Sequence, residues 1–372
     1  MITENKRVRF CENNYVDANS ILDFSSEMTD FPFSNSYTDE RSKVWKPSGY
    51  FKITSSNNKI YFNDGLSDQE VTITIGEYAT PQLLASEIQT RLNDVMVGFT
   101  VSYGANFKFV ISNTSEVTLK LSITTNSIAE TLGYTSQVDS FAYTFYADVI
   151  SVHTSEWATF DLGYEASVDF VAMVGNVDEI FTLSSTAQVV LYGNNVLDFD
   201  TPAFTKQLTR FDGGIMNFID DADSSYRYWK IEIIDPTNVN GNQCFSISNL
   251  YLGDYQTLQS RNLENGFTVS FEDKSKTYEA ESGSKFFDKK AKFKKFDGMS
   301  LGFLDKTDKK MFDTMFQKLG ISTPFYISID PTGCFTDELD ELTKLARFSS
   351  SPSYQHIIRD IFSIKISIEE CV

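Results

Sequence analysis

From residue 157 to residue 253 the chain is written as a succession of short apolar runs, each closed by glycine or a polar turn. The runs are Trp157 to Gly163, Val168 to Gly175, Ala187 to Gly193, Arg227 to Asp235 and Phe245 to Gly253. Strands this short and this regularly spaced, with Gly and Asn-Gly breaks between them, predict an antiparallel sandwich or barrel. Composition points the same way. The sequence carries 32 Phe and 18 Tyr, and aromatic side chains fit pleated, half-buried surfaces.

The flanking segments read differently. Val71 to Ile75 alternates strictly and predicts a strand closed by Gly76. Thr80-Pro81 then opens a helix, because threonine caps well and proline at the first position gives up no needed N–H. Leu83, Leu84, Ile88 and Leu92 fall on one face of it. Phe99 to Ser102, Phe107 to Ile111 and Val117 to Ile123 predict three more strands, and Ser127 to Leu132 a helical turn before Gly133. Residues 50–148 therefore form a small α+β unit. After Asp254, Phe267 to Phe271, Phe325 to Ile329 and Ile361 to Ile368 read as strands. Thr307 is the expected cap of a helix with Met311, Phe312, Met315, Phe316 and Leu319 on its apolar face and Gly320 at its end.

Two resemblances sharpen this outline. Glu156 to Gly163, with Trp157 followed by Asp161-Leu162-Gly163, resembles a strand of discoidin-type, or galactose-binding-like, jelly rolls. Val171 to Gly175, Tyr228 to Ile233 and Ile247 to Gly253 are similar to further strands of that fold, and Asn35 to Trp45 to the stretch before them. The resemblance implies a jelly roll built from residues 1–49 and 149–255, an inserted α+β module at 50–148 and a C-terminal α+β assembly region at 256–372. It also implies that Trp157 is core and that Gly163 takes a turn conformation. Ligands of such folds are met by loops at one end of the barrel. The corresponding segments here, Gly193 to Asn195 and Thr237 to Asn242, are ordinary polar turns. The order Tyr226 to Pro236, Leu250 to Asp254, Asn262 to Gly266 and Gly320 to Ser328 further resembles structural proteins of tailed bacteriophages. The module, from Ile75 to Thr80 and again at Thr131 to Gly133, is similar to one common in phage virion proteins.

Chemistry is sparsely signalled. His153 and His356 are the only histidines, and no Gly-x-Ser-x-Gly, His-Glu-x-x-His or P-loop motif occurs, so the expectation is a protein that is not an enzyme. Cys11, Cys244, Cys334 and Cys371 are scattered without a CxxC pair, which predicts reduced thiols without disulfides. Asp220, Asp221 and Asp223 crowd one turn. Calcium remains an open ligand there, although the spacing is not that of a dedicated loop. No cofactor is otherwise expected. The first ten residues lack the apolar run of a signal peptide, and no stretch is apolar enough to span a membrane. A formal net charge of −19 disfavours docking on nucleic acid or an anionic bilayer.

Against that acidity stands one basic island, Lys285, Lys289, Lys290, Lys292, Lys294 and Lys295, interleaved with phenylalanine. Such interleaving can serve single-stranded nucleic acid or protect an exposed strand edge. In an acidic chain it reads as an electrostatic complement to a neighbouring subunit. The combined expectation is a virion component of a phage tail or distal tail, made in the host cytoplasm and assembling with itself and other virion proteins. The alternatives are a module recognising host-surface glycan and a tail-associated glycan hydrolase.

Overall fold

The computed structural model describes residues 7–371 except 48–50, 79, 105–107, 150–154, 176–182, 185, 212–213, 220–224, 236–244, 259–266 and 330–341. The protein is mainly β, with two α-helices among the described residues. His153, Cys244, Cys334, the Asp220 to Asp223 turn and the Thr237 to Asn242 turn lie outside them. Cys11 and Cys371 are free thiols.

A jelly-roll sandwich occupies the middle of the chain. Its smaller sheet runs in the order Phe204–Leu208, Gln188–Asn194, Ser225–Ile234, Glu156–Ser167, Ile21–Phe24. Alternation directs one side of each strand inward: Val189 and Leu191, then Trp229, Ile231 and Ile233, then Ala158 and Phe160. These meet Val171, Met173, Ile215, Leu250 and Leu252 of the facing sheet, and Phe33, Trp45 and Phe245 close the end of the same core. Trp45 stacks edge-on against Phe33 and Phe245 at 4.8 and 5.4 Å and donates its indole N–H to Ser26 O at 2.9 Å. Trp157, expected in the core, is half-buried on the outer face, with the Lys230 ammonium 5.7 Å from its ring. Its neighbours Ala158 and Phe160 take the inward places.

The facing sheet does not stop at the sandwich. Arg9–Asn14 pairs on one side with Asn249–Thr257 and on the other with Phe325–Ser328. Through this hub strand the sheet continues into Thr343–Phe348, Ile361–Glu370, Lys292–Leu304 and Thr268–Asp273. Residues 149–255 and 256–372 thus share one eleven-stranded sheet. Helix Lys306–Leu319 lies on the C-terminal part of it, where Phe312 meets Phe10 edge-on at 5.1 Å. Asp305 caps this helix, accepting from the N–H groups of Thr307 and Asp308, which corrects the expectation of a Thr307 cap. A carboxylate there both pairs the free amides and complements the helix dipole. Gly320, at φ +57°, ends the helix as expected.

Residues 51–147 have a core of their own, from Phe51 to Ala147. Among the described residues every strand pairing made by this module is internal. Thr80 caps helix Pro81–Val95 by accepting from the Leu83 N–H, and Leu84, Ala85, Ile88 and Leu92 are buried. Leu83 faces solvent instead, 55% exposed. Two expected strands prove to be one, Phe109–Leu119, which absorbs polar Asn113 to Glu116 at a register shift. The alternating run breaks at Thr72, and Gly76 begins the next strand. A unit with a private core tolerates excision. Replacing residues 51–147 by a short Gly/Ser linker should leave a remainder that melts cooperatively, as followed by circular dichroism. An unfolded remainder would show that the module completes the sandwich.

Candidate functional site

The basic island does not form one patch. Lys276–Glu279 and Lys285–Asp288 make a two-stranded ribbon turned at Gly283, which has φ +82°. The ribbon extends from the pair Thr268–Asp273 and Lys292–Leu304. Lys285, Lys289, Lys290 and Lys292 are exposed, whereas Lys294 and Lys295 are half-buried. Lys290 pairs with Asp288 at 3.1 Å, Lys292 with Asp273 at 3.6 Å and Lys295 with Asp297 at 3.2 Å. The Lys294 ammonium lies 5.6 Å from the Phe271 ring. Lys285 and Lys289 have no ion pair among the described residues.

The same segment, residues 268–295, exposes several aromatic rings. Phe271, Phe286 and Phe287 are 77%, 60% and 67% exposed, and Tyr278 is also open. Tyr278 stands opposite Phe286 in the register, and Thr277 opposite Phe287. Consecutive residues of a strand point to opposite faces, so the ribbon presents a phenyl ring on each face. A two-stranded ribbon with nothing packed on it is marginal in water. Covering both faces is the physical remedy.

A second site lies where the hub strand leaves the sandwich, and no motif announced it. Here Glu12, Asn13, Asn14, Tyr15, Asn249, Tyr251 and Asp254 line an open cleft of about 590 Å³. Lys318, Thr323, Pro324 and Phe325 wall it from the C-terminal region, with Leu345, Asp39 and Tyr164 at its other margins. Gly253 makes the close approach of the two strands possible: a Cβ there would stand 1.9 Å from Asn13 O. Asn13 then donates to Asp254 at 2.8 Å, and Gln256 donates to Glu12 Oε1 at 2.8 Å. Asn14 donates to Leu250 O and accepts from the N–H groups of Val16 and Leu252. Lys318, in the last turn of its helix, donates to Glu12 O at 3.3 Å and to the Asn13 side chain.

Tyr164 reaches the cleft from a bulge. The strand Glu156–Ser167 shifts register between Asp161 and Ala166, with Gly163 at φ +76°. Asp161 holds the bulge by accepting from Gly163 N–H at 2.8 Å and from Arg227 at 2.7 and 2.8 Å. The Asp-Leu-Gly triplet therefore has the structural role and the turn conformation read from it, and it also presents Tyr164. Bulges commonly re-aim a side chain in this way.

Two polar atoms in the cleft walls are buried without a hydrogen-bond partner among the described residues, Glu12 Oε2 and the Tyr251 hydroxyl. Burial pushes the Glu12 carboxyl up, and Asp254 adds to this while Lys318 opposes it. Burial likewise raises the Tyr251 and Tyr15 phenols, Asp254 contributing to both. Elsewhere, Gly193 and Asn194 end a strand, and Asn195 accepts from Arg227 N–H at 3.0 Å, so that turn is internally satisfied. Among the described residues no three His, Cys, Asp or Glu side chains converge as metal ligands would. No helix of the described residues is long and apolar enough to cross a membrane.

No family model and no curated relative matches the sequence. Among solved structures the chain is similar to a fucolectin from striped bass (Morone saxatilis) serum, at 12% identity and a TM-score of 0.21. The match covers 43% of this chain and 61% of the fucolectin. So distant a likeness carries no argument about function.

Proposed function

We propose that the chain is a non-enzymatic structural component of a tailed-phage virion, in the tail or its distal tip, that acts by oligomeric assembly. One observation carries the assembly reading: the ribbon of residues 268–295 exposes aromatic rings on both faces and bears eight lysines against five acids. Its net charge of +3 in a chain of −19 complements the acidic body of another copy or neighbour. The virion assignment rests on the order of sequence motifs from Tyr226 to Ser328. In this arrangement residues 256–372 make the main contacts and the sandwich faces outward, the protein having folded in the host cytoplasm. A glycan-binding role is favoured by a separate observation, the polar cleft at the hub strand. The assembly reading is tested on particles from the host lysate. Peptides of this chain should be found in purified virions, and immunogold should label the tail. Its absence from particles, or labelling of the head alone, would remove the tail assignment.

A further inference from the structure

We infer that the cleft between the hub strand and helix Lys306–Leu319 receives the aromatic ribbon of a second copy of this chain, so that copies join head to tail. The inference rests on the assembly reading above and names the surface that covers the ribbon.

The two surfaces complement each other in charge. Glu12, Asp39 and Asp254 line the cleft against the single ammonium of Lys318, and that ammonium is engaged with Glu12 O and the Asn13 side chain. Asp39 is exposed. Partial burial still pushes its carboxyl up, and no cation among the described residues opposes the shift. The ribbon supplies what the cleft lacks. Lys285 and Phe287 are two residues apart in one strand and therefore share a face. Phe287 is 67% exposed, and Glu279 stands opposite Lys285 without an ion pair between them. A lysine and a phenyl ring on one face match a cleft whose walls are acidic and aromatic.

Size and position agree with this pairing. An open cleft of about 590 Å³ is as large as a small-molecule site and admits a ring with a lysine stem. Tyr164, 62% exposed on its bulge, stands at the margin with a face for Phe287 to pack on or for an ammonium to approach. Within one copy the two surfaces lie apart. Phe325–Ser328, Thr343–Phe348, Ile361–Glu370 and Lys292–Leu304 intervene between the hub strand and Thr268–Asp273, ~24 Å at the spacing of paired strands. A surface and its complement at separate places on one chain make a heterologous contact, which closes into a ring or runs on as a filament.

The test is sedimentation velocity on the full chain and two variants. Lys285→Glu with Phe287→Ser disables the ribbon, and Asp39→Lys with Tyr164→Ala disables the cleft. All four side chains are exposed, so both variants should keep the wild-type melting temperature. Wild type should self-associate, and each variant alone should do so roughly tenfold more weakly or less, as loss of an aromatic anchor and a charge implies. Mixed in equal amounts, the variants should form a two-chain complex and nothing larger, because only one intact ribbon meets one intact cleft. A cleft variant that self-associates like wild type would overturn the inference and leave the ribbon with another partner surface. So would a mixture that forms no pair, or a wild type that stays monomeric. Failure of the assembly reading is read separately, as absence of the chain from purified particles.

Discussion

Gly253→Ala should cost more than ~3 kcal/mol of stability, a large share of the roughly 5–15 kcal/mol by which folded chains exceed their unfolded states. The added Cβ would stand 1.9 Å from Asn13 O and 3.0 Å from Asn13 C. Both are backbone atoms of the hub strand, so no side-chain rotation relieves the clash. Gly253 is also paired with Phe170 on its other side, and its own strand cannot retreat without opening that ladder. The hub strand must move, and among the described residues it is the strand that joins Asn249–Thr257 of the sandwich to Phe325–Ser328. Gly298→Ala is the control. It has φ +71° and open space around it, so only the left-handed backbone is penalised, at about 1–2 kcal/mol. Urea titrations of the two variants should differ clearly. Equal losses would mean that the strands around Gly253 separate more cheaply than the backbone contact implies.

The hub strand also marks the limit of what the sequence shows. The sandwich is legible because its strands alternate: Val189 with Leu191, and Trp229 with Ile231 and Ile233, all turn inward. The two helices are legible from periodicity and from their ends, at Thr80-Pro81 and Gly320. Arg9–Asn14 carries no such pattern. Phe10 and Cys11 are both buried because the strand is central and packed on both faces, while Glu12 to Asn14 are polar because they line the cleft. Read alone, that segment is a mixed stretch. Periodicity misleads at Leu83, which sits one position off the buried face of its helix. At Trp157 the resemblance misleads: with Ala158 and Phe160 inward, alternation turns Trp157 out. The cleft was invisible for a simpler reason. Glu12, Tyr164, Tyr251 and Lys318 are brought together only by pairing strands from distant parts of the chain, and no local spacing encodes that convergence. The lysine island was legible as composition, but its partial neutralisation by Asp273, Asp288 and Asp297 follows from register.

That neutralisation decides how the proposed assembly surface should respond to charge reversal. Glutamate at Lys290, Lys292 or Lys295 would sit beside Asp288, Asp273 or Asp297. Each substitution would loosen the ribbon itself by up to ~1 kcal/mol, the scale of an exposed ion pair. Lys285 and Lys289 are exposed and bear no ion pair among the described residues, so Lys285→Glu with Lys289→Glu alters the ribbon's field while sparing its internal contacts. The pair of changes takes residues 268–295 from +3 to −1, from attraction to repulsion toward an acidic neighbour. Incorporation into particles, scored by immunoblot against wild type, should fall at least tenfold, with the melting temperature of the isolated chain unchanged. Screening acts over roughly 8 Å at physiological salt, so high salt should weaken wild-type association toward the level of the double variant. Phe286→Ser with Phe287→Ser tests the apolar half of the contact, and its defect should be nearly independent of salt because apolar burial carries no charge. Full incorporation of both double variants would take the ribbon out of the interface and leave it a solvated edge of the sheet.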